Sequence, residues 1–193
     1  TLHELQSALA PDGSALPDDL ALFALAEMLA GLDALHEAKG ATGRPLGIVH
    51  RDVTPHNVFL GLDGRVILGD YGVAHVQAHG GELHDGVPGK VGYLAPESLS
   101  PGPVDRRADI FSVGVLPYEL LVGRRPFDGE DEASTIERIQ EARPPRPRRV
   151  RPSLPERLES LILAALAKRP DDRPGSAAEL RAALLDVFDP QLG

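Results

Sequence analysis

Asp52, Asn57 and Asp70 are the residues whose types and spacing could do chemistry. "HRDVTPHN" runs from His50 to Asn57: an acid, then an amide five residues on, between two short apolar stretches. "NVFLGLDGRVILGD" (57–70) holds two apolar runs around Asp63-Gly64, which predicts a β-hairpin. The two ends of a tight hairpin are adjacent, so Asn57 and Asp70 are expected to be neighbours, with Asp52 one loop away. Two carboxylates and an amide oxygen make an all-oxygen site. That chemistry suits Mg²⁺, which takes a few protein oxygens and leaves the rest of its shell to water and phosphate. The same residues also serve as ordinary turn formers, and their spacing alone leaves both readings open.

The elements that must position these groups are mainly helical. Helices are expected over 1–9, 20–38, 109–122, 131–142, 155–168 and 176–188. Asp18 or Asp19 would cap the second, and Gly40 would stop it. Residues 109–122 are apolar nearly all round, which marks a helix buried on every side, with Pro117 inside it as a local conflict. Ser176 with Glu179 three residues on predicts a capping box. "GIVH" (47–50) is too short for a helix and is β-branched; 71–95 and the Pro/Arg stretch 143–153 read as loops. The fold class expected is thus mainly α with one small β-hairpin (α+β).

Composition bounds what such a chain does. It has 193 residues, 42% apolar and 25% charged, as expected of a globular domain with a real core. There is no Cys, which excludes disulfides, thiolate zinc sites and thiol catalysis. A net charge of −9 argues against general affinity for nucleic acid or anionic membrane. The longest apolar run, Ile110 to Gly123, is too short to span a bilayer and carries Glu119. His75, His79 and His84 share one loop but lack the supporting carboxylates of a metal site. The five Arg of 143–151 read as a solvated stretch, with docking of an acidic partner as the other option.

Three short motifs occur in order: "HRDxxxxN" at His50–Asn57, "DYG" at Asp70–Gly72 and "APE" at Ala95–Glu97. Downstream stand "DIFSVGVLPYELLVGRRPF" (109–127) and "LAKRPDDRP" (166–174). Together they resemble the C-terminal lobe of bacterial Ser/Thr protein kinases. The resemblance covers 1–188, leaving 189–193 as a tail, and implies a protein-kinase-like fold with the C-lobe only. It implies ATP and Mg²⁺ as cofactors, a protein substrate, phosphoryl transfer to Ser or Thr, and a cytoplasmic location. Under it, Asp52 is the acid that orients the substrate hydroxyl, and Asn57 and Asp70 are the Mg²⁺ ligands. Phe59 lies under the adenine. Glu97 and Arg173 form an ion pair tying down the activation segment, and Asp109 holds the catalytic-loop backbone. Tyr71 and Gly72 complete a variant of the family's DFG, with a hydroxyl added to the ring.

Two departures from the family pattern stand out. The family has a lysine two residues after the acid, where this chain has Thr54; it has a threonine in the G-T-x-x-Y segment, where this chain has Lys90. The exchange would keep one ammonium and one hydroxyl beside Asp52. Second, Arg51 usually pairs with a phosphorylated Ser or Thr, yet 73–94 contains neither. Glu82 or Asp85 is expected to take the phosphate's place. No Gly-rich loop or strand lysine precedes Thr1, so the chain is expected to be a catalytic-lobe fragment that is inactive without an N-lobe, with an exposed apolar face around Phe59 and Gly69. A pseudokinase-like scaffold is the competing reading. A small-molecule phosphotransferase is a third, disfavoured by Arg51 and the APE segment.

Overall fold

The computed structural model describes residues 1–12, 14–70 and 90–188. In it, α1 (Leu2–Leu9) is opened by a full capping box: the Thr1 hydroxyl accepts from the Glu4 amide, and the Glu4 carboxylate returns to the Thr1 amine. α2 (Asp18–His36) starts after Pro17 rather than after an Asp cap; Asp18 and Asp19 instead lie in its first turn, where the helix dipole favours them. It ends at His36, short of Gly40, because residues 38–46 fold back on themselves through Leu46 N–H to Ala38 O and Gly40 N–H to Arg44 O.

The hairpin forms as expected. β1 (Val58–Leu60) and β2 (Val66–Leu68) pair antiparallel, with Phe59 opposite Ile67 and the turn carried by Gly64 at φ 83°. Val58 points into the core, while Phe59 and Ile67 stand on the other face, 41% and 54% exposed. The 47–50 segment, in contrast, has no ladder partner and is not a strand. Its last residue, His50, is held through its backbone amide by Asp109 of the helical core, described below.

α3 (Arg107–Val122) is the centre of the lobe, with thirteen of its residues buried, including Ile110, Phe111, Leu116 and Tyr118. Pro117 stays inside it without ending it; burial on all sides outweighs the roughly 3 kcal/mol cost. Gly123, at φ 81°, closes the helix by the left-handed cap. At Gly114 a Cβ would come within 2.9 Å of the Ala165 Cβ, so α6 (Glu156–Ala165) lies against bare backbone there. Around this axis pack α2, α6 and α7 (Ala177–Val187), and α4 (Glu132–Glu141) covers the 90–99 segment.

Three further expectations need correction. The 143–153 stretch contains a helical turn, α5 (Pro147–Val150), started by Pro at its first position. It is not merely solvated: Arg151 reaches both oxygens of Asp18 at 2.7 and 3.0 Å, and the buried Glu159 accepts from the Arg148 amide. At α7, Ser176 caps the Glu179 amide, but the Glu179 carboxylate accepts from Gly175, one residue before a capping box would place it. Residues 90–93, at the end of the expected 71–95 loop, form a short 3-10 turn instead, and residues 96–99 form another. No helix among the described residues is long and apolar enough to cross a membrane.

Candidate active site

Asp109, fully buried in the first turn of α3, anchors the site. Its Oδ2 accepts from the His50 amide at 2.8 Å and from His36 Nε2 at 2.7 Å, and its Oδ1 accepts from the Arg51 amide at 2.7 Å. A carboxylate buried this deeply needs several donors to offset its lost hydration, and three are provided. They fix the loop backbone in an unusual shape. Arg51 takes φ 66°, a left-handed value that a side chain with Cβ adopts only when surrounding bonds enforce it. Asp70, at φ 55°, marks the other side of the site in the same way.

His50 links the two sides. The Asp52 amide donates to its Nδ1 at 3.3 Å, so Nε2 carries the proton and donates to Gly69 O at 3.1 Å. Burial pushes the His50 imidazole below its ordinary value, against the opposing pull of Asp109, which agrees with this neutral tautomer. Gly69 N–H in turn donates to Asn57 O at 2.9 Å, so the hairpin ladder ends one residue before Asp70. Asn57 and Asp70 therefore flank the same hairpin end, as the pattern implied.

Asp52 sits between two donors. Lys90 Nζ and Asn57 Nδ2 each lie 2.8 Å from its Oδ2, and Asn57 Nδ2 also reaches the Asp52 carbonyl at 2.8 Å. Oδ1 accepts no hydrogen bond among the described residues. The carboxylate is thus clamped on one oxygen and open on the other. Thr54 does not behave as the exchange implied. It is buried, but its hydroxyl has no partner. The ammonium is beside the acid; the hydroxyl is not bonded to it.

Glu97 and Arg173 form a bidentate pair at 2.6 and 2.8 Å. The other donors of Arg173 reach the carbonyls of Ala167, Arg107 and Lys168, so all five N–H groups are used, and the guanidinium lies over Phe111 at 5.0 Å. Tyr71, Gly72, Glu82 and Asp85 lie outside the described residues, as do His75, His79 and His84. Three participants have roles that no sequence pattern assigns. His36 is the last residue of α2, where nothing in the helical period marks it as a donor to Asp109. Tyr93 donates to Glu119 Oε2 at 2.6 Å, and Ser112 holds the Tyr93 carbonyl at 2.7 Å. Burial, first of all, pushes the Glu119 carboxyl up.

The oxygens fit a hard cation. Asn57 spends its amide nitrogen on Asp52, which leaves its carbonyl oxygen as the donor for a metal, and Asp70 adds an exposed carboxylate.

The sequence family described as protein kinase domain matches residues 2–184. Among curated proteins, the chain is 38% identical over 174 residues to a tyrosine-protein kinase, MasK, of Myxococcus xanthus, covering 90% of this chain and 27% of that protein. It is 36% identical over 185 residues to the serine/threonine-protein kinase PknL of Mycobacterium tuberculosis, covering 95% of this chain and 43% of that one. To the serine/threonine-protein kinase PrkC of Bacillus subtilis it is 37% identical over 143 residues, 74% of this chain and 22% of the relative. The chain thus spans less than half the length of each.

Proposed function

This chain belongs to the protein kinase domain family, in the form of the large C-terminal lobe, and from that premise we propose that it carries the acceptor side of an ATP-dependent phosphoryl transfer to Ser or Thr of a protein substrate. The reading extends over residues 1–188. The observation that supports it most is the Lys90–Asp52–Asn57 cluster, with one Asp52 oxygen doubly bonded and the other open.

Asp52 Oδ1 accepts the hydrogen of the attacking hydroxyl and orients its lone pair; the proton passes to the carboxylate as the O–P bond forms and the bond to the ADP oxygen breaks. Lys90 holds Oδ2, so Asp52 cannot rotate away, and its ammonium replaces the charge that Thr54 lacks. Asn57 locks the same oxygen from the loop side. Asn57 Oδ1 and Asp70 would hold Mg²⁺, which supplies charge neutralisation on the phosphates. His50 and Asp109 position this set without touching substrate. A scaffold without catalysis has no need for the open carboxylate oxygen, which favours the enzyme.

The test is substitution in the full-length protein. Asp52→Asn is expected to cost roughly 10²–10⁴-fold in transfer, the usual share of a positioned base, and Asp70→Asn to abolish it. Turnover within tenfold of wild type in either variant would overturn these roles.

A further inference from the structure

A cleft of about 610 Å³ opens beside the Asp52–Lys90 pair, between α1, the 55–57 turn and the end of α3. Its charged lining among the described residues consists of Lys90, Glu119, Arg124, Arg125 and Asp128, and the rings of His3 and His56 meet at 3.9 Å along it. Position makes it the place where residues flanking an acceptor hydroxyl at Asp52 would lie. Its charge decides what those residues are.

Both carboxylates that line the cleft among the described residues already have partners within the chain. Asp128 pairs with Arg125 at 2.9 Å. Glu119 accepts the Tyr93 hydroxyl at 2.6 Å, and the Arg125 guanidinium lies over that same Tyr93 ring at 5.2 Å, so one cation faces both acids. Lys90 is matched by Asp52. Arg124 differs: it is exposed, and no carboxylate pairs with it among the described residues. A basic side chain entering here would find each acid engaged and would meet a second cation. An anionic one would find a guanidinium whose planar fork matches carboxylate and phosphate oxygens.

We propose that the cleft receives an anionic side chain of the protein substrate, an Asp, a Glu or a phosphorylated residue close to the acceptor, with Arg124 as its partner. The inference rests on the kinase reading above, since that reading puts the acceptor at Asp52. A charged pair with an exposed arginine at the side of a cleft, strengthened by the bidentate fork, corresponds to a preference of about three- to tenfold.

The experiment uses the full-length protein and fluorescent Ser peptides carrying Asp, phosphoserine, Ala or Arg at each position flanking the acceptor. Binding is read by polarisation, and transfer from ATP to the same peptides is measured in parallel. Asp or phosphoserine peptides are expected to bind three- to tenfold tighter than Ala at one or two positions, with Arg weakest there. Arg124→Gln should remove the preference and Arg124→Glu reverse it, with melting curves confirming that both variants fold. A phosphoserine advantage over Asp assigns the site to phosphate, and equality assigns it to carboxylate. Equal binding of all four peptides, or a preference that survives both substitutions, overturns the proposal. Absence of transfer to every peptide while the acidic preference persists strikes the kinase reading and leaves the cleft assignment standing.

Discussion

Exchanging Thr54 and Lys90 tests whether the ammonium beside Asp52 belongs to the chemistry. Lys90→Thr removes a cation 2.8 Å from Asp52 Oδ2. The two side chains are 29% and 21% exposed, so solvent screens the attraction, and its share of fold stability is about 1 kcal/mol or less. In a domain of this size that lowers Tm by about 2–4 °C. The rate should fall much further, by about 10²–10³-fold, because a positioned charged donor acts where charge develops. Thr54→Lys alone should be no better. Thr54 is 1% exposed, so a lysine there can place its charge only by reaching toward the carboxylate that Lys90 already holds. Two ammonium groups about 4 Å apart at an effective dielectric of about 20 repel by about 4 kcal/mol. The double variant restores one ammonium to one carboxylate, and its transfer rate should exceed that of each single variant at least tenfold, a barrier lower by about 1.4 kcal/mol. The assay is steady-state phosphoryl transfer in the full-length protein, with thermal melting beside it. A folded double variant no faster than the single variants would refute the compensation.

Other perturbations read other parts of the lobe. Residues 1–193 alone should bind ATP–Mg²⁺ more weakly than low micromolar by calorimetry and should self-associate in sedimentation, because Phe59 and Ile67 leave an apolar strand face uncovered. The His50 ring should titrate below the free imidazole value of about 6.5 by NMR. Between that lowered value and about 6.5 the unfolded chain binds a proton that the folded chain does not, so the stability due to neutral His50 is complete above this window and lost as pH falls through it; a melting profile that His50→Asn leaves unchanged below pH 6.5 would contradict this. Arg173→Lys keeps the charge but gives up the fork and most of five hydrogen bonds, so Tm should drop by about 5–10 °C, and an unchanged Tm would remove the pair from the framework.

The parts of this molecule legible in its sequence were those set by local pattern. Alternation around Asp63-Gly64 gave the hairpin, and all-round apolarity over 109–122 gave the buried axis despite Pro117. The likeness of order and spacing in "HRDxxxxN" and "DYG" pointed to Asp52, Asn57 and Asp70, and the Thr54–Lys90 exchange pointed to an ion pair that the structure forms. What stayed hidden depends on partners distant in sequence. His36 and Asp109 have no common periodicity; only tertiary packing brings them together. The 47–50 segment has strand-like residues and no strand beside it, so propensity gave way to the bonds its backbone makes with Asp109. In 143–153, the number of Arg and Pro residues hid the fact that Arg151 is held by Asp18 and the Arg148 amide by the buried Glu159.

The bonds at Asp109 also close a ring. His36 Nε2 and the His50 amide meet on the same carboxylate oxygen, at 2.7 and 2.8 Å, so the chain that leaves α2 returns to the point it left. Between them, residues 37–49 form an excursion, exposed throughout 41–47, whose neck is tied by one acid. Its length is therefore uncoupled from the geometry of Asp52: lengthening such a loop costs only a slowly growing closure entropy, about 0.6 kcal/mol for each doubling. The turn at 40–44 is thus a place in this lobe where chain can be added, removed or replaced by a graft while the loop that carries Asp52 stays in register.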